Sequence, residues 1–205
     1  MNIFWGDKIG LRPFEETLTE EEIARVHRWS SDENILRWSG GAPTDLTLPE
    51  FRERLLGERG YVPDHRRAFF IITRDGELIG RIGIFAIDWD THEGELGIVI
   101  GESAIWGQGY GRDAIQTLLR HVFATTPLER IHLYTFPENV RAQRCFVAAG
   151  FRTIGNARRF SPDIGEFDGI EMEITRREFL EAKRWTNLEI CPTFAKEAKW
   201  ANETY

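Results

Sequence analysis

The segments ELGIVI at residues 95–100 and WGQGYGRDA at residues 106–114 decide the fold. The first segment is a short apolar run of the kind that forms a buried strand. The second contains three glycines, and the apolar residues that follow it recur at helical spacing. That stripe consists of Ala114, Ile115, Leu118, Leu119, Val122 and Phe123. The pattern therefore predicts a strand, a glycine-rich turn and an amphipathic helix from Asp113 onward.

The glycine-rich turn predicts an anion site. Glycine lets successive backbone N–H groups point inward, and a helix N-terminus carries a partial positive charge. Arg112 adds a cation in the first turn of the helix. The competing interpretation is a tight turn whose glycines serve packing alone.

Two other phosphate-binding patterns do not fit this turn. A Walker loop requires Gly-Lys-Ser/Thr after its glycines, and no lysine is present here. A dinucleotide fingerprint is matched superficially by Gly109, Gly111 and Ala114, but it should follow its strand within a residue or two. Here residues 102–106 intervene, and no acidic residue ends the next strand at the expected distance.

Helices are predicted on both sides of this unit. Thr19 begins one helix, with three glutamates facing the positive end of its dipole. A second short helix follows Pro49, and a later one runs from Asn139 to Ala149 and ends at Gly150. The apolar face of the second helix is predicted to consist of Phe51, Leu55 and Leu56. Residues 31–46, rich in Ser, Gly, Pro and Asp, are predicted to form a loop.

Strands are predicted at residues 8–13, 68–73, 78–87, 95–100, 131–136, 151–154 and 170–174. Asp75-Gly76 is a hairpin turn signal between two of them. A hairpin meander followed by alternating strands and helices predicts a mixed α/β sheet. Gly97 interrupts an apolar strand, which indicates a bulge or a close approach. The residues at 156–169 are predicted as a loop, and those from 181 as a C-terminal extension.

The composition excludes several classes of function. A formal net charge of −7 argues against general nucleic-acid binding and favours a cationic substrate such as an amine. Two cysteines, Cys145 and Cys191, exclude a disulfide framework, and the five histidines lack metal-ligand spacing, so no metal is expected. Without a leader pattern or an apolar run of about 18 residues, we expect one cytoplasmic domain that does not span a membrane.

The two segments 95–100 and 106–114 resemble the central cofactor motif of the GNAT acetyltransferase superfamily. Residues 139–146, which close on Ala149-Gly150-Phe151, resemble that superfamily's following motif. Leu11-Arg12-Pro13 and Trp38 are similar to the subgroup of ribosomal-protein N-terminal acetyltransferases. The resemblance covers about residues 8–178. It implies a GNAT domain over residues 1–180, whose mostly antiparallel twisted sheet splays at the cofactor site between flanking helices.

The resemblance implies transfer of an acetyl group from acetyl-CoA to a primary amine by direct attack. Glu95 is placed as the general base, with Glu93 and His92 as less favoured competitors. A structural ion pair with a basic neighbour is the other interpretation of Glu95. The residues implied in cofactor binding are Ile98, Val99, Ile100, Gly107, Gln108, Gly109, Tyr110, Gly111, Arg112, Asn139 and Arg144.

The position of the superfamily's usual proton donor departs from the pattern. Many members have a tyrosine seven residues after the asparagine, where it protonates the departing thiolate, and this chain has Phe146 there. Cys145 or Tyr134 is an alternative proton donor. A non-catalytic acyl-CoA-binding module of the same fold is the alternative function, and transfer of an acyl group larger than acetyl is a third. The acceptor is a protein N-terminus or a small amine, and an exposed sheet edge is compatible with a homodimer.

Overall fold

The computed structural model describes residues 3–59, 64–161 and 163–185. The strands within these residues are β1 (Phe4–Trp5), β2 (Ile9–Pro13), β3 (Arg67–Thr73), β4 (Leu78–Asp88), β5 (Glu93–Ile100), β6 (Arg130–Thr135), β7 (Arg152–Ser161) and β8 (Gly165–Thr175). The α-helices are α1 (Glu20–Trp29), α2 (Glu33–Ser39), α3 (Leu48–Arg59), α4 (Tyr110–Thr125), α5 (Val140–Ala149) and α6 (Arg176–Trp185). A short 3₁₀ helix at Ser103–Ile105 precedes the glycine-rich turn.

The eight strands form one sheet in the order β1-β2-β3-β4-β5-β6-β8-β7. Every neighbouring pair is antiparallel except β5 and β6, which run parallel. That parallel pairing covers only Glu93–Glu95 against Arg130–His132, whereas β5 stays paired with β4 as far as Ile100. The two strands therefore separate beyond Glu95. The predicted mixed sheet with a splayed region is confirmed.

Apolar side chains are buried on both faces of the sheet. Helix α4 and part of α5 cover one face, and the predicted stripe of α4 is fully buried there. Helices α1 and α3 cover the N-terminal half of the other face, packing on Phe70, Ile72 and Leu78. The opposite face of β5, β6 and β8 carries charged side chains instead.

Local capping signals were interpreted correctly at several ends. Thr19 and Glu22 form the reciprocal capping box that begins α1. The side chain of Asn139 accepts the N–H of Ala142 at the start of α5, and Gly150 ends that helix in the left-handed conformation at φ 112°.

Three helix predictions were wrong in part. Residues 31–46 are not all loop, because Asp32 caps α2 by accepting the N–H of Asn34, and Gly40 ends it at φ 69°. Leu56 does not share the buried face of α3: Phe51 and Leu55, one turn apart, are buried, and Leu56 is exposed. Helix α4 begins at Tyr110, three residues before Asp113.

The last two strands are much longer than predicted, so the predicted loop at 156–169 was wrong. Residues Arg152–Ser161 and Gly165–Thr175 form a long hairpin instead. The hydroxyl of Ser161 donates to the carbonyl of Gly40 at 3.2 Å, which joins the hairpin tip to the end of α2. Helix α6 crosses the domain boundary placed at residue 180. The rest of the predicted extension, with Cys191, lies outside the described residues.

Gly97 marks a close approach rather than a bulge. It pairs with Gly83, and a Cβ at Gly97 would lie 3.0 Å from the ring of Phe85. The register shift of this strand pair lies between Phe85 and Asp88.

Candidate active site

The glycine-rich turn forms a concave backbone at the start of α4. Gly107 and Gly109 have φ values of 79° and 89°, in the left-handed region that glycine adopts without strain. Gly109 is the N-cap of α4, and no side chain caps that end. The first N–H groups of a helix have no partner within it, so those of Tyr110, Gly111 and Arg112 are available to an external acceptor. We call residues 107–112 the cradle.

The fold itself does not require glycine at position 111. A Cβ there would make ordinary contacts, at 3.4 Å from Sγ of Cys145 and 3.9 Å from Cγ1 of Ile100. Its backbone is helical, so neither clash nor strain demands glycine at this position. A diphosphate lying close to the backbone is a physical reason for it. The cradle therefore fits the anion that the sequence predicts.

Side chains at the rim of the cradle differ in role. Gln108 turns back, and its Nε2 donates to the carbonyl of Ala104 at 3.1 Å, so it stabilises the turn. Tyr110 packs on the core, and Arg112 is exposed. Lys8, which the sequence analysis did not select, donates from Nζ to the carbonyl of Gln108 at 2.8 Å.

The loop before the cradle is fixed by two tryptophans. Trp29 is buried, and its Nε1 donates to Glu102 at 3.1 Å. Nε1 of Trp106 donates to the carbonyl of Ile100 at 2.9 Å, and the guanidinium of Arg141 lies 3.6 Å from its ring centroid. Because Arg141 belongs to α5, this stack bridges the two arms of the splayed sheet.

The end of β5 lies along the splay. Ile98 and Ile100 pack towards α4, and Val99 packs on the opposite face. Strand β6 does not pair with these residues, so their backbone edge faces the gap. That arrangement fits the predicted pairing with the pantetheine arm of acetyl-CoA. Asn139 is buried as the cap of α5 and Arg144 is exposed on the same helix, so a cofactor contact for either stays a prediction.

Glu95 lies on the charged face of β5 and holds a cation. Its Oε2 is 3.1 Å from Nη2 of Arg159, a residue of β7. The same guanidinium lies 3.7 Å from the ring centroid of Tyr134 on β6. Nε2 of His132 is 3.8 Å from Oε2 of Glu95. We call Glu95, Tyr134 and Arg159 the cation site.

The other predicted base candidates have structural partners. Glu93 forms an ion pair with Arg130 at 2.7 Å, and Arg130 also binds Glu171 and Glu173. The carbonyl of His92 accepts N–H groups from Glu129 and Arg130. Glu95 therefore differs from Glu93 because its cation is stacked on an aromatic ring at the splay.

Burial sets the protonation of the neutral groups near the gap. Burial raises the pKa of the Tyr134 hydroxyl, partly opposed by the charge of Arg159. Burial likewise raises the pKa of the Cys145 thiol, and it lowers the pKa of His132, so the imidazole is neutral at pH 7. Phe146 is buried against Phe151, with ring centroids 6.1 Å apart. At pH 7, Tyr134 and Cys145 each carry a proton.

The described part of the chain contains neither a metal-ligand cluster nor a helix suited to a membrane. No group of three or more His, Cys, Asp or Glu side chains within it has the arrangement of a metal site. Among the same residues, no helix combines the length and apolarity needed to cross a bilayer.

The comparison with protein families decides the identity of this fold. Residues 8–152 match the family model described as an acetyltransferase (GNAT) domain. The chain belongs to the GNAT acetyltransferase family. Within this GNAT chain the match covers both predicted motifs, and the protein is an acetyl-CoA-dependent N-acetyltransferase.

Relatives of this GNAT protein include enzymes of known acceptor. An aminoglycoside N(6′)-acetyltransferase type 1 of Serratia marcescens is 25% identical over 194 residues, which cover 88% of this chain and 89% of that protein. The crystal structure of spermidine N-acetyltransferase from Vibrio cholerae with CoA and spermine superposes with a TM-score of 0.70 at 22% identity, covering 84% of this chain and 98% of that one. A structure of an aminoglycoside acetyltransferase with coenzyme A has a TM-score of 0.67 at 22% identity, covering 85% and 99%.

Proposed function

We propose that this protein transfers acetyl from acetyl-CoA to a primary amine of a cationic small molecule. The cation site carries the proposal. A carboxylate beside an aromatic face attracts a cation through both charge and the ring quadrupole, and here the two already hold a guanidinium. An acceptor ammonium has the same charge and fits the same surroundings.

The relatives support this class of acceptor. Aminoglycosides and spermidine, the acceptors named for them, are small molecules with several amines. The formal net charge of −7 also favours approach of such cations, since the long-range field of the protein is attractive to them. The choice between a polyamine and an amino sugar is part of the test below.

The proposed chemistry assigns one task to each region. The cradle N–H groups hold the diphosphate, and the free edge of β5 orients the pantetheine arm. The thioester supplies the acetyl group. The carboxylate of Glu95 takes the ammonium proton through a water, and the neutral amine then forms the new C–N bond while the C–S bond breaks. The acylated nitrogen loses a second proton as the neutral amide forms, and a proton from the protein or solvent neutralises the released thiolate.

Arg159 must release Glu95 for this step. While the guanidinium pairs with Oε2, the carboxylate is occupied by a cation that is too weak an acid to transfer a proton to it. We therefore expect the acceptor ammonium to exchange with Arg159, whose side chain on β7 is partly exposed.

Tyr134 and Cys145 are both proton donors that this proposal allows. Tyr134 belongs to the cation site, and Cys145 lies beside Gly111 of the cradle. The variants Tyr134→Phe and Cys145→Ala distinguish them. We expect the variant that removes the proton donor to have a lower kcat and an unchanged KM for acetyl-CoA, and the other variant to keep both values.

A protein N-terminus as acceptor stays a prediction with less support. The triplet Leu11-Arg12-Pro13 suggested it, but Arg12 is buried and forms a 2.7 Å ion pair with Glu22. That pair gives the arginine a structural role. The homodimer and the cytoplasmic location also stay predictions.

A thiol-release assay with acetyl-CoA over a panel of acceptors tests the proposed function. The panel contains spermidine, spermine, an aminoglycoside, a monoamine without any further charged group and a peptide with a free N-terminus. We expect turnover with a polycationic small amine. Turnover with the peptide alone would contradict the acceptor class. Binding of acetyl-CoA without turnover on any amine would favour the acyl-CoA-binding module.

A further inference from the structure

Lys8 lies beside the cradle although it is 100 residues away from Gln108 in the chain. Its Nζ donates to the carbonyl of Gln108 at 2.8 Å and lies 5.5 Å from the ring centroid of Tyr110. The ammonium is also 3.9 Å from the place that a Cβ would take at Gly109. The side chain is exposed and comes from the bend between β1 and β2.

Asp113 fixes this bend against the first turn of α4. Its buried carboxylate accepts the backbone N–H groups of Asp7, Lys8 and Ile9 at 3.1, 2.7 and 3.0 Å. Because Asp113 follows the cradle directly on α4, the backbone of Lys8 is held in register with the cradle. Three N–H bonds to one buried carboxylate are a strong and directional attachment.

Gly6 shows how closely the bend approaches α4. A Cβ at Gly6 would lie 2.4 Å from Oγ1 of Thr117 and 2.6 Å from Oδ2 of Asp113. Only glycine allows this approach, so the bend can lie against α4 because residue 6 is glycine. The position of Lys8 is therefore a built feature of the fold and does not depend on its own flexible side chain.

Lys8 places a positive charge beside the N-terminus of α4. A helix N-terminus carries a partial positive charge, and cations near it are destabilising. Arg112, in the first turn of the same helix, adds a second positive charge. The carbonyl of Gln108 takes one of the three ammonium donors of Lys8, and two remain for another acceptor. A bound anion would reverse the sign of this interaction.

We propose that Lys8 is a cofactor-binding residue whose ammonium pairs with the diphosphate of acetyl-CoA in the cradle. The inference rests on the proposed acetyl-CoA site. It adds to that site a side chain from the N-terminal strand pair, held in place by Asp113. Lys8 supplies charge, and the cradle backbone supplies directed N–H groups.

Calorimetric titration with acetyl-CoA tests this role. We expect Lys8→Met to weaken binding by about 10-fold, since a solvent-exposed charge-assisted contact is lost, and Lys8→Arg to stay within about 2-fold of the wild type. Arg177→Gln, which removes one positive charge from the exposed surface of α6, is the matched control and should change nothing. The wild-type affinity should also fall more steeply with salt than that of Lys8→Met.

Dephospho-CoA, which lacks the 3′-phosphate, identifies the group that Lys8 contacts. An equal loss for CoA and dephospho-CoA in Lys8→Met is the expected result. A loss with CoA alone would overturn the assignment to the diphosphate. Equal affinity of Lys8→Met and wild type would overturn the inference while leaving the cradle intact. A wild type without affinity for acetyl-CoA would contradict the proposed site and the inference together.

Discussion

The cradle and the cation site lie on the same sheet but are built in opposite ways. The cradle is a run of six adjacent residues whose backbone N–H groups are proposed to bind the diphosphate. The cation site combines side chains of β5, β6 and β7, and Arg159 is 64 residues away from Glu95 in the chain. A backbone site tolerates many side-chain changes but few changes at its glycines. A side-chain site depends on each of its members.

This difference predicts which changes affect which substrate. Changes in the cradle should act on acetyl-CoA affinity, and changes in the cation site should act on the acceptor and on kcat. Substitutions at Gly109, Glu95 and Arg159 test that separation.

Gly109→Asp should abolish acetyl-CoA binding, with affinity reduced by at least about 100-fold. The substitution adds negative charge at the proposed diphosphate site and strains a left-handed residue at φ 89°, by about 1–2 kcal/mol. Gly76→Asp is the control, because Gly76 has φ 84° and nothing within 4 Å of its Cβ position. Calorimetry on both variants separates the ligand effect from the strain. Similar acetyl-CoA affinity for the two variants would contradict the cradle.

Glu95→Gln should lower kcat at pH 7 by about 100-fold, the usual size of a general-base contribution, and leave the dissociation constant of acetyl-CoA within about 2-fold. Steady-state kinetics and calorimetry measure the two quantities. Glu93→Gln, two residues earlier on the same face and paired with Arg130, is the control with nearly wild-type kcat. Equal kcat for wild type and Glu95→Gln would remove Glu95 from the mechanism.

Arg159→Met should lower the KM for a cationic acceptor by about 5-fold, since it removes an internal competitor worth about 1 kcal/mol and keeps an apolar stem on Tyr134. We expect kcat within about 2-fold of wild type. Arg158→Met, the neighbouring residue paired with Glu166, provides the matched control. A higher KM, or a collapse of kcat, would show that Arg159 holds the acceptor or positions Glu95.

His121 tests the scaffold that both regions share. Its ring lies 3.8 Å from that of Phe4, and burial, with a smaller effect of Arg67, lowers the pKa of His121 to about 4. In the unfolded chain the pKa of this imidazole is near 6.5, so between pH 4 and 6.5 the unfolded chain binds a proton more readily than the folded chain. The free energy of unfolding therefore has its full value above pH 6.5 and decreases as the pH falls to 4.

We expect the acid-induced loss in the free energy of unfolding to be smaller in His121→Phe than in wild type, by up to about 3 kcal/mol. Urea unfolding at pH 7 and pH 4.5 measures it, and activity at pH 7 should change little. The exposed His65, replaced in the same way, should leave the acid sensitivity as it is. An unchanged pH dependence in His121→Phe would assign the acid sensitivity to other groups.

The sequence predicted those features whose causes are local. Glycine spacing gave the cradle, the Thr19 and Asn139 caps gave two helix starts, and the periodicity of α4 gave one core face. The long hairpin was missed because its strands carry Gly155, Gly165 and charged residues, and are stabilised by pairing with each other and with β6. Such pairing depends on residues far away in the chain.

The same reasoning explains the candidate site. Glu95 was selected because its place before the cradle resembles that of a general base in the superfamily. No local signal pointed to Arg159, which reaches Glu95 only because the hairpin lies beside β6. Lys8 was missed for a similar reason, since its proximity to the cradle is set by the bonds that Asp113 makes with the chain backbone. Contacts made by topology become visible only in the folded chain.

The short parallel contact between β5 and β6 also bears on resistance to unfolding. Strand pairing between the two halves of the sheet is limited to the three residue pairs of β5 and β6. A pantetheine arm bound between β5 and β6 would add hydrogen bonds to the strand backbone, so the substrate would stabilise the sheet in the way that an additional strand does. Protein saturated with acetyl-CoA should then melt at a higher temperature, and its amides in β5 and β6 should exchange hydrogen more slowly, before any acceptor is present.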